Sequence, residues 1–517
     1  MKKWMLSGAA MALAVCGMSL SAQVKPSALF GDHMVLQSGM DVPVWGTASP
    51  GEVVKIRIEE QSAQATAGPD GRWTAHLHSL KAGGPWTMHI EGKNKIDVQD
   101  VLVGEVWLAT GQSNMVFTVS KKLYPWAGMK DEEKEIAAAD YPKIRVFTMA
   151  ARKSYEPQSD AQGEWKVCSP QTVADFSAVG YTFARQLQQR LNLPVGIVTV
   201  AYGGSTAEAW LPRPVIAADE QLRPRLEKFD AAVSFYKSHP AATTEDAPAA
   251  PATINAGAAK KGPMKDPVED QHQPTVLFNG MLQAAVPYAV RGVLWYQGES
   301  IVGGKEGVAL YPHTMETLVK QWRQLWGRED LPFLSVQLAG LKNVSNNPLV
   351  REQQAKILSL PHTGQAVALD LGDPTNVHPK DKAPLGERLA RLALSDVYGW
   401  KIEGSGPRYA SMQVDGSHIR IHFTHVGQGL EAHGDALHGL VIAGADQHFV
   451  EAEAKIEGDT IVVQSAQVAA PVAVRYAWEN YPVTSNLYNH DGLPAAPFRT
   501  DAWDALGEVS QGFTGKN

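Results

Sequence analysis

The sequence predicts an α/β protein in which a three-layer α/β/α domain with a parallel sheet is flanked on each side by a β-rich, sandwich-like region. Between residues 101 and 400, continuous apolar segments of strand length alternate with segments of helical periodicity. Continuous apolar strands are typical of a parallel sheet that helices cover on both faces. On either side of this stretch, short segments separated by turn residues indicate antiparallel β-structure.

Five candidate strands and three candidate helices define the middle domain. The apolar segments that predict strands are 106–109, 195–200, 293–296, 333–338 and 366–370. Apolar residues recur at helical spacing in segments 183–191, 315–326 and 385–392. One stretch, 239–274, is rich in Ala, Pro and Lys and lacks periodicity, so we expect a long surface loop there.

The two flanking regions, 23–100 and 401–517, contain short strand-like segments joined by turn sequences. Pro69-Asp70-Gly71 predicts a turn in the first region, and Asp415-Gly416 predicts a hairpin in the second. The sequence leaves open whether the two regions pack together or flank the middle domain separately.

Residues 1–22 are typical of a secretory signal peptide. Lys2 and Lys3 precede an apolar run that ends near Leu20, and small residues follow it. Cys16 is a poor candidate for lipidation because Val15 is unfavourable directly before a lipidated cysteine. We therefore expect a secreted or periplasmic protein with no lipid anchor, and no other segment is apolar enough to span a membrane.

Composition excludes several kinds of partner. The formal net charge of −7 argues against nucleic acid, which requires a basic surface. Loss of Cys16 with the signal peptide would leave only Cys168, so no intramolecular disulfide is expected and Cys168 is interpreted as a buried apolar side chain. No residues have metal-ligand spacing, and the sequence leaves the oligomeric state open.

Four polar segments follow predicted strands. The carboxyl ends of parallel strands meet at one edge of a sheet, where ligands bind. The segments are 111–115, 202–205, 297–300 and 373–378. Their expected convergence at one edge predicts a catalytic site there.

Ser113 and His378 are the candidate nucleophile and general base of an acyl-transfer site. Ser113 would attack, and His378 would take its proton and return it to the leaving alcohol. The backbone amides of Ser113 and of Gly203 or Gly204, with the Gln297 side chain, are candidate donors to the oxyanion. The alternatives are that the two glycines only form a tight turn and that Gln297 is a structural amide.

These segments resemble the sialate O-acetylesterase family of the SGNH hydrolases, and the resemblance covers most of the chain. The motifs that carry it are Asp32-His33-Met34-Val35-Leu36-Gln37, Gly104-Glu105-Val106-Trp107, Gly111-Gln112-Ser113-Asn114-Met115, Trp295-Tyr296-Gln297-Gly298-Glu299-Ser300, Gly372-Asp373, Val377-His378-Pro379, Arg475-Tyr476-Ala477-Trp478 and Pro497-Phe498-Arg499-Thr500-Asp501. The resemblance implies an SGNH-type sheet core, hydrolysis of O-acetyl esters of sialic acids or related acetylated sugars, and no cofactor. Asn114 is included with the oxyanion and substrate-binding candidates.

The acid that would orient His378 is left open by the sequence. Many SGNH enzymes carry it three residues before the histidine, where this chain has Thr375. We favour Asp373, because Pro374 favours a turn that would fold the carboxylate back onto the imidazole. Asp370, Glu299 and a backbone carbonyl are the alternatives, although we favour a buried hydrogen-bond organiser near the substrate as the role of Glu299.

Arg351 and three tryptophans are candidates for contacts with the sugar. A guanidinium binds a carboxylate by paired hydrogen bonds, so Arg351 would suit a sialic acid, although a salt bridge on a helix surface is the alternative. Trp107 and Trp295 are expected in the core, whereas Trp210 is equally suited to the core and to stacking on a sugar.

Two other functions remain open. The same chemistry would serve acetyl xylan or another acetylated carbohydrate, since only the pocket around the sugar would differ. A non-catalytic carbohydrate-binding protein is the alternative of another class, and the presence of both Ser113 and His378 counts against it.

Overall fold

The computed structural model describes residues 23–239, 263–302 and 304–504. The expected signal peptide and most of the expected surface loop, residues 240–262, lie outside the described residues. None of the helices in the described ranges is long and apolar enough to cross a membrane.

The N-terminal region is built from β-strands, as predicted. They are β1 (Lys25–Pro26), β2 (Val35–Gln37), β3 (Asp41–Thr47), β4 (Val53–Ile58), β5 (Gln61–Thr66), β6 (Arg72–His78), β7 (Gly83–Glu91) and β8 (Lys95–Gly111). Exposed and buried residues alternate along β4 and β6, because one face of each strand packs on the core. The turn predicted at residues 69–71 connects β5 to β6.

Strand β8 joins this region to the middle of the chain. Its first part pairs antiparallel with β7, and its last part forms the centre of a parallel sheet. Strand β8 has 17 residues, so the expected domain boundary at residue 100 falls inside one strand. The division of the chain into domains stays a prediction.

The middle region has the predicted α/β architecture. Its further strands are β9 (Tyr141–Thr148), β10 (Trp165–Cys168), β11 (Val195–Ala201), β12 (Gly292–Tyr296), β13 (Phe333–Val336) and β14 (Thr363–Ala366). They lie in the order β10-β9-β11-β8-β12-β13-β14, and only the β10–β9 pair is antiparallel. Every residue of β11 and β12 is buried, which explains their continuous apolar sequences.

Helices connect these strands and include the three that periodicity predicts. They are α1 (Ser113–Val116), α2 (Glu132–Ala137), α3 (Ala178–Leu191), α4 (Arg213–Ala218), α5 (Arg223–Ser238), α6 (Gln283–Ala285), α7 (Lys305–Leu325), α8 (Asn347–Ala355) and α9 (Ala383–Leu392). Helix α3 packs on β11 and against α9, and α7 packs against α8. Helices α3, α7 and α9 coincide with the three predicted segments.

The fifth predicted strand is displaced in the structure. Strand β14 ends at Ala366, and a 3₁₀ turn over Leu369–Leu371 follows it. The apolar residues after Ala366 do not continue the strand. Val367 and Leu369 are instead buried in the core of the C-terminal region. Strands β9 and β10 were not predicted.

The C-terminal region is again β-structure and has its own apolar core. Its strands are β15 (Arg408–Asp415), β16 (His418–Thr424), β17 (Leu430–Ala432), β18 (Leu440–Ala443), β19 (Phe449–Glu451), β20 (Glu453–Glu457), β21 (Thr460–Gln464), β22 (Ala473–Tyr476), β23 (Leu487–Asn489) and β24 (Phe498–Arg499). The hairpin predicted at Asp415-Gly416 connects β15 to β16.

Cys168 is the buried apolar side chain that the sequence predicts. It ends β10, and its sulfur lies 3.9 Å from the carbonyl oxygen of Ala139. Burial raises the pKa of this thiol to about 12, which keeps it protonated and unreactive.

Candidate active site

Three of the four polar segments begin at the same level of the sheet. Gly111 is aligned with Ala201 of β11 and with Tyr296 of β12, so the segments after these strands emerge side by side. Gln112 connects them, because its N–H donates to Tyr296 O at 2.9 Å and its Oε1 accepts from Gly298 N at 3.2 Å.

Gly111 makes the sharp turn that places Ser113 at the start of α1. Its φ of 128° lies in a region that side chains disfavour, and a Cβ there would lie 2.2 Å from Tyr296 O. No other residue fits this close approach between two strands.

The glycine segment lies directly beside the candidate nucleophile. A Cβ built on Gly203 would lie 3.8 Å from Ser113 Cβ, so the backbone of Gly203 closely approaches that residue. Gly204 has a φ of 71°, and its carbonyl oxygen lies 2.9 Å from Ser300 Oγ. This arrangement brings backbone amides near Ser113.

Asn114 links the Ser113 segment to the His378 segment. Its Nδ2 donates to Glu299 Oε1 and, at 3.0 Å, to the carbonyl oxygen of Val377. The neighbour of Ser113 is thus bonded to the neighbour of His378, although the two segments are far apart in sequence. All four polar segments therefore lie together at one edge of the sheet.

The buried Lys382 completes this arrangement. Its Nζ donates to Asn114 Oδ1 at 2.6 Å and lies 4.6 Å from the ring centre of Phe117. Burial lowers the pKa of Lys382 to about 7, and the Glu299 carboxylate opposes that shift. The sequence does not single out Lys382, because a lysine near a helix start is ordinarily exposed.

His378 offers an unoccupied ring nitrogen. Its Nε2 is buried and has no hydrogen-bond partner within the described ranges. Burial, with a smaller effect from the positive charge of Lys382, lowers the pKa of His378 to about 4. The imidazole is therefore neutral near pH 7, as a general base must be.

The structure does not bring Asp373 to the His378 ring, contrary to the expectation. Asp373 Oδ1 accepts three hydrogen bonds, from the N–H and Oγ1 of Thr375 and from the N–H of Asn376, at 2.8 to 3.0 Å. Asn376 Oδ1 in turn accepts the N–H of His378 at 2.9 Å. The turn at Pro374 thus folds the carboxylate onto the loop backbone.

The other acid candidates do not bond to the His378 ring either. Glu299 is partly buried, burial raises its pKa, and Asn114 donates to its Oε1, whereas its Oε2 has no hydrogen-bond partner within the described residues. Asp370 forms a paired ion bridge with Arg388 at 2.6 and 2.7 Å. In the part of the chain that the structure describes, no carboxylate hydrogen-bonds to the His378 ring.

Asn114 has no free donor for an oxyanion, and one N–H of the Gln297 amide is also engaged. Both amide protons of Asn114 are donated to protein oxygens, and its side chain is buried. Gln297 is also buried, and its Nε2 donates to Ser205 O at 3.1 Å, behind the glycine segment. Gln297 matches the structural alternative, because it holds the Gly203-Gly204 turn from inside.

Arg351 does not reach the site either. It is fully buried, and its guanidinium donates to four backbone carbonyl oxygens. These belong to Leu338, Ala339, Glu479 and Asn480, at 2.7 to 3.0 Å. Arg351 forms no surface salt bridge and instead joins the end of β13 to the C-terminal region, so its guanidinium is directed at backbone oxygens and not at the candidate substrate carboxylate.

Trp107, Trp210 and Trp295 are all buried, so none of them stacks on a ligand. The aromatic residue beside the site is Trp126, whose ring centre lies 4.5 Å from that of His378. It follows no predicted strand, and sequence reasoning missed it. Over residues 23–239, 263–302 and 304–504, no cluster of His, Cys, Asp or Glu is suited to hold a metal ion.

Several known proteins that match most of this chain are esterases. The chain is 27% identical to the mouse sialate O-acetylesterase and 25% identical to the human one, with 90% of this chain covered in each case. The alignments span 92% of the mouse protein and 90% of the human one. A crystal structure of a carbohydrate acetylesterase from Xanthomonas citri is 35% identical, with a TM-score of 0.78 over 93% of this chain and 100% of that chain.

These similarities define the protein as a carboxylic ester hydrolase. The chain belongs to the family described as "carbohydrate esterase, sialic acid-specific acetylesterase", whose model matches residues 103–237 and 270–395. The predicted family resemblance and fold class are both confirmed.

We expect His378 to remain neutral until about pH 4, because its ring is partly buried and lies near the Lys382 cation. Histidine-selective NMR should show one imidazole that titrates near that pH, and the signal should be missing in His378→Asn. Lys382→Met should raise the pKa of His378, because the positive charge near the imidazole is removed. Lys380 is an exposed lysine nearby, and Lys380→Met should change the pKa of His378 less. A His378 pKa of 6.5 or above in the wild type would contradict this description.

Proposed function

We propose that the protein hydrolyses O-acetyl esters of sialic acids or closely related acetylated sugars through an acyl-enzyme on Ser113. The observation that supports the proposal is the hydrogen bond from Asn114 Nδ2 to Val377 O, which links the residue after Ser113 to the residue before His378, whose Nε2 has no partner within the described residues. The acetylesterase names of the relatives support the type of ester.

The proposed reaction has two steps. Ser113 Oγ attacks the acetyl carbon while His378 Nε2 takes its proton, and His378 then gives that proton to the departing sugar oxygen. Water, activated by the same nitrogen, attacks the acetyl group on Ser113 and releases acetate. The proposed oxyanion donors are the backbone amides of Ser113 and of Gly203 or Gly204, since Gln297 and Asn114 are engaged elsewhere.

The low pKa of His378 sets a requirement for this reaction. A buried neutral imidazole is ready to accept a proton, but burial and Lys382 both disfavour the imidazolium. The negative charge that develops on the substrate oxygen, next to the ring, opposes these effects. Proton transfer and oxyanion formation are therefore expected to occur together.

The predicted triad acid, Asp373, is proposed to position His378 through the loop. Its Oδ1 holds the amides of Thr375 and Asn376, and Asn376 Oδ1 holds the N–H of His378. In this positioning role Asp373 needs only an oxygen that accepts hydrogen bonds from the loop. A triad acid would also need the negative charge of the carboxylate.

Secretion is proposed on the basis of the first 22 residues alone. The positive Lys2 and Lys3, the apolar run and the small residues before Gln23 support it.

Acetylated neutral polysaccharides are the second candidate substrates. One specific observation favours them: Arg351, the expected partner of a sialic acid carboxylate, is fully used by backbone carbonyl oxygens. The name of the Xanthomonas citri protein, a carbohydrate acetylesterase, is compatible with either substrate.

The test of the proposed function is acetate release from O-acetylated sialic acids and from acetyl xylan. Ser113→Ala should reduce turnover of the preferred ester by roughly 10⁴-fold or more, because the attacking oxygen is lost. Ser417→Ala, in an exposed hairpin turn, is the matched control and should retain activity. Normal turnover by a folded Ser113→Ala protein would overturn the mechanism.

Variants of Asp373 separate its two roles. Asp373→Asn keeps an acceptor oxygen, so the loop should persist and kcat should fall less than about tenfold, compared with about 10⁴-fold when a true triad acid is replaced. Asp373→Ala removes the acceptor and should impair turnover more than Asp373→Asn. Steady-state kinetics, with folding checked by circular dichroism, provides the measurement. A loss near 10⁴-fold in Asp373→Asn would restore the triad assignment.

A further inference from the structure

Lys382 is a buried amine close to the proposed base. Its side chain is fully buried, and within the described residues Asn114 Oδ1, at 2.6 Å, is the one hydrogen-bond acceptor of its Nζ. A lysine ammonium has three N–H donors, so two of them have no acceptor there. A lysine held in such a place loses its proton far more readily than a lysine in water.

The groups around Lys382 act on its charge in opposite directions. The Glu299 carboxylate attracts the cation, and so do two aromatic rings, since the ring centres of Phe117 and Tyr296 lie 4.6 and 5.6 Å from Nζ. Burial opposes the charge and is the larger effect, so the pKa of Lys382 falls to about 7. Lys382 therefore changes its charge near neutral pH.

The other charged groups near Lys382 in sequence are directed elsewhere. Lys380 is exposed, and Asp381 pairs with Lys130 at 3.4 Å. The contact from α3 is the uncharged Thr182 hydroxyl, which lies 3.4 Å from the Lys382 carbonyl oxygen. In the described part of the chain, the charge of Lys382 is thus felt by Glu299 after β12 and by His378 in the loop before α9.

Loss of the Lys382 proton leaves the hydrogen bonding of the site intact. A neutral amine still has two N–H groups, so Nζ continues to donate to Asn114 Oδ1. Asn114 then keeps its link to Val377 O and to the loop of His378. The two states of Lys382 differ in charge and not in these contacts.

The charge of Lys382 acts on the proposed base. The Phe117 ring centre lies 4.6 Å from Lys382 Nζ and 6.4 Å from the centre of the His378 ring, so the two groups share an apolar neighbour. Apolar surroundings screen charges weakly, and the Lys382 cation lowers the pKa of His378. It therefore disfavours the imidazolium that the proposed reaction forms when Ser113 attacks.

We propose that Lys382 is a positioning residue that acts on the reaction through His378: the cation restrains proton transfer to the imidazole, and the neutral amine releases it. The inference rests on the proposed function and adds its pH dependence, because kcat/KM rises as Lys382 loses its proton. The hydrogen bond to Asn114 holds the site together in both states. The rise belongs near pH 7, well above the pKa of His378 at about 4.

The test is the pH dependence of kcat/KM for a methyl O-acetyl-pyranoside, which carries no titratable group. In the wild type kcat/KM should rise roughly tenfold between about pH 6 and about pH 8, the factor that one unit in the pKa of His378 represents. Lys382→Gln has no charge but keeps an N–H for Asn114 Oδ1, so the rise should disappear while activity stays high. Lys382→Met also lacks that donor and should show no rise, with a lower kcat at every pH.

Lys380→Gln is the matched control, because Lys380 is an exposed lysine of the same loop, and the rise should persist in it. A rise that persists in the Lys382 variants, at the same or a higher pH, would overturn the inference and assign the titration to another group. A wild type without a rise in this range would overturn it as well. If Lys382→Gln does not fold, Lys382→Met decides alone. Failure of the proposed function looks different, because Ser113→Ala would then still hydrolyse the ester.

Discussion

The side chain of Asn114 is the constraint on which the arrangement of the site depends. One amide group contacts three different segments: Glu299 after β12, Val377 in the loop beside His378, and Lys382 at the start of α9. Because Asn114 directly follows Ser113, this hydrogen bonding fixes the Ser113 segment and the His378 segment relative to one another. Gly111 makes the turn that positions Ser113, and its backbone lies so close to Tyr296 that no side chain fits there.

The same amide separates two buried charged groups. Lys382 is fully buried and Glu299 is partly buried, and removing such groups from water costs several kcal/mol each unless they are paired or hydrogen-bonded. Asn114 accepts from Lys382 and donates to Glu299 Oε1 without direct contact between the two charged groups, whereas Glu299 Oε2 is buried and has no hydrogen-bond partner within the described residues. The consequence for the proposed chemistry is that Asn114 has no donor left for substrate, so backbone amides are the proposed oxyanion donors.

Periodicity and strand ends predicted much of this molecule. The parallel sheet, helices α3, α7 and α9, and the edge where the polar segments meet all follow from apolar patterns, which reflect burial directly. The directions of individual side chains could not be predicted from these patterns. Asp373 turns onto its own loop, Arg351 binds carbonyl oxygens of a segment more than a hundred residues away, and Trp126 reaches His378 from a loop without periodicity. These contacts depend on packing between distant segments, which local patterns do not encode.

The pairing of Ser113 with His378 is tested most directly by covalent labelling with an alkyl fluorophosphonate, followed by peptide mass spectrometry. This reagent reacts only with a serine whose hydroxyl is activated by a nearby base. If His378 Nε2 activates Ser113, the label will lie on Ser113 in the wild type and will form far more slowly in His378→Ala. A label on another residue, or equal labelling rates in the two proteins, would contradict the pairing.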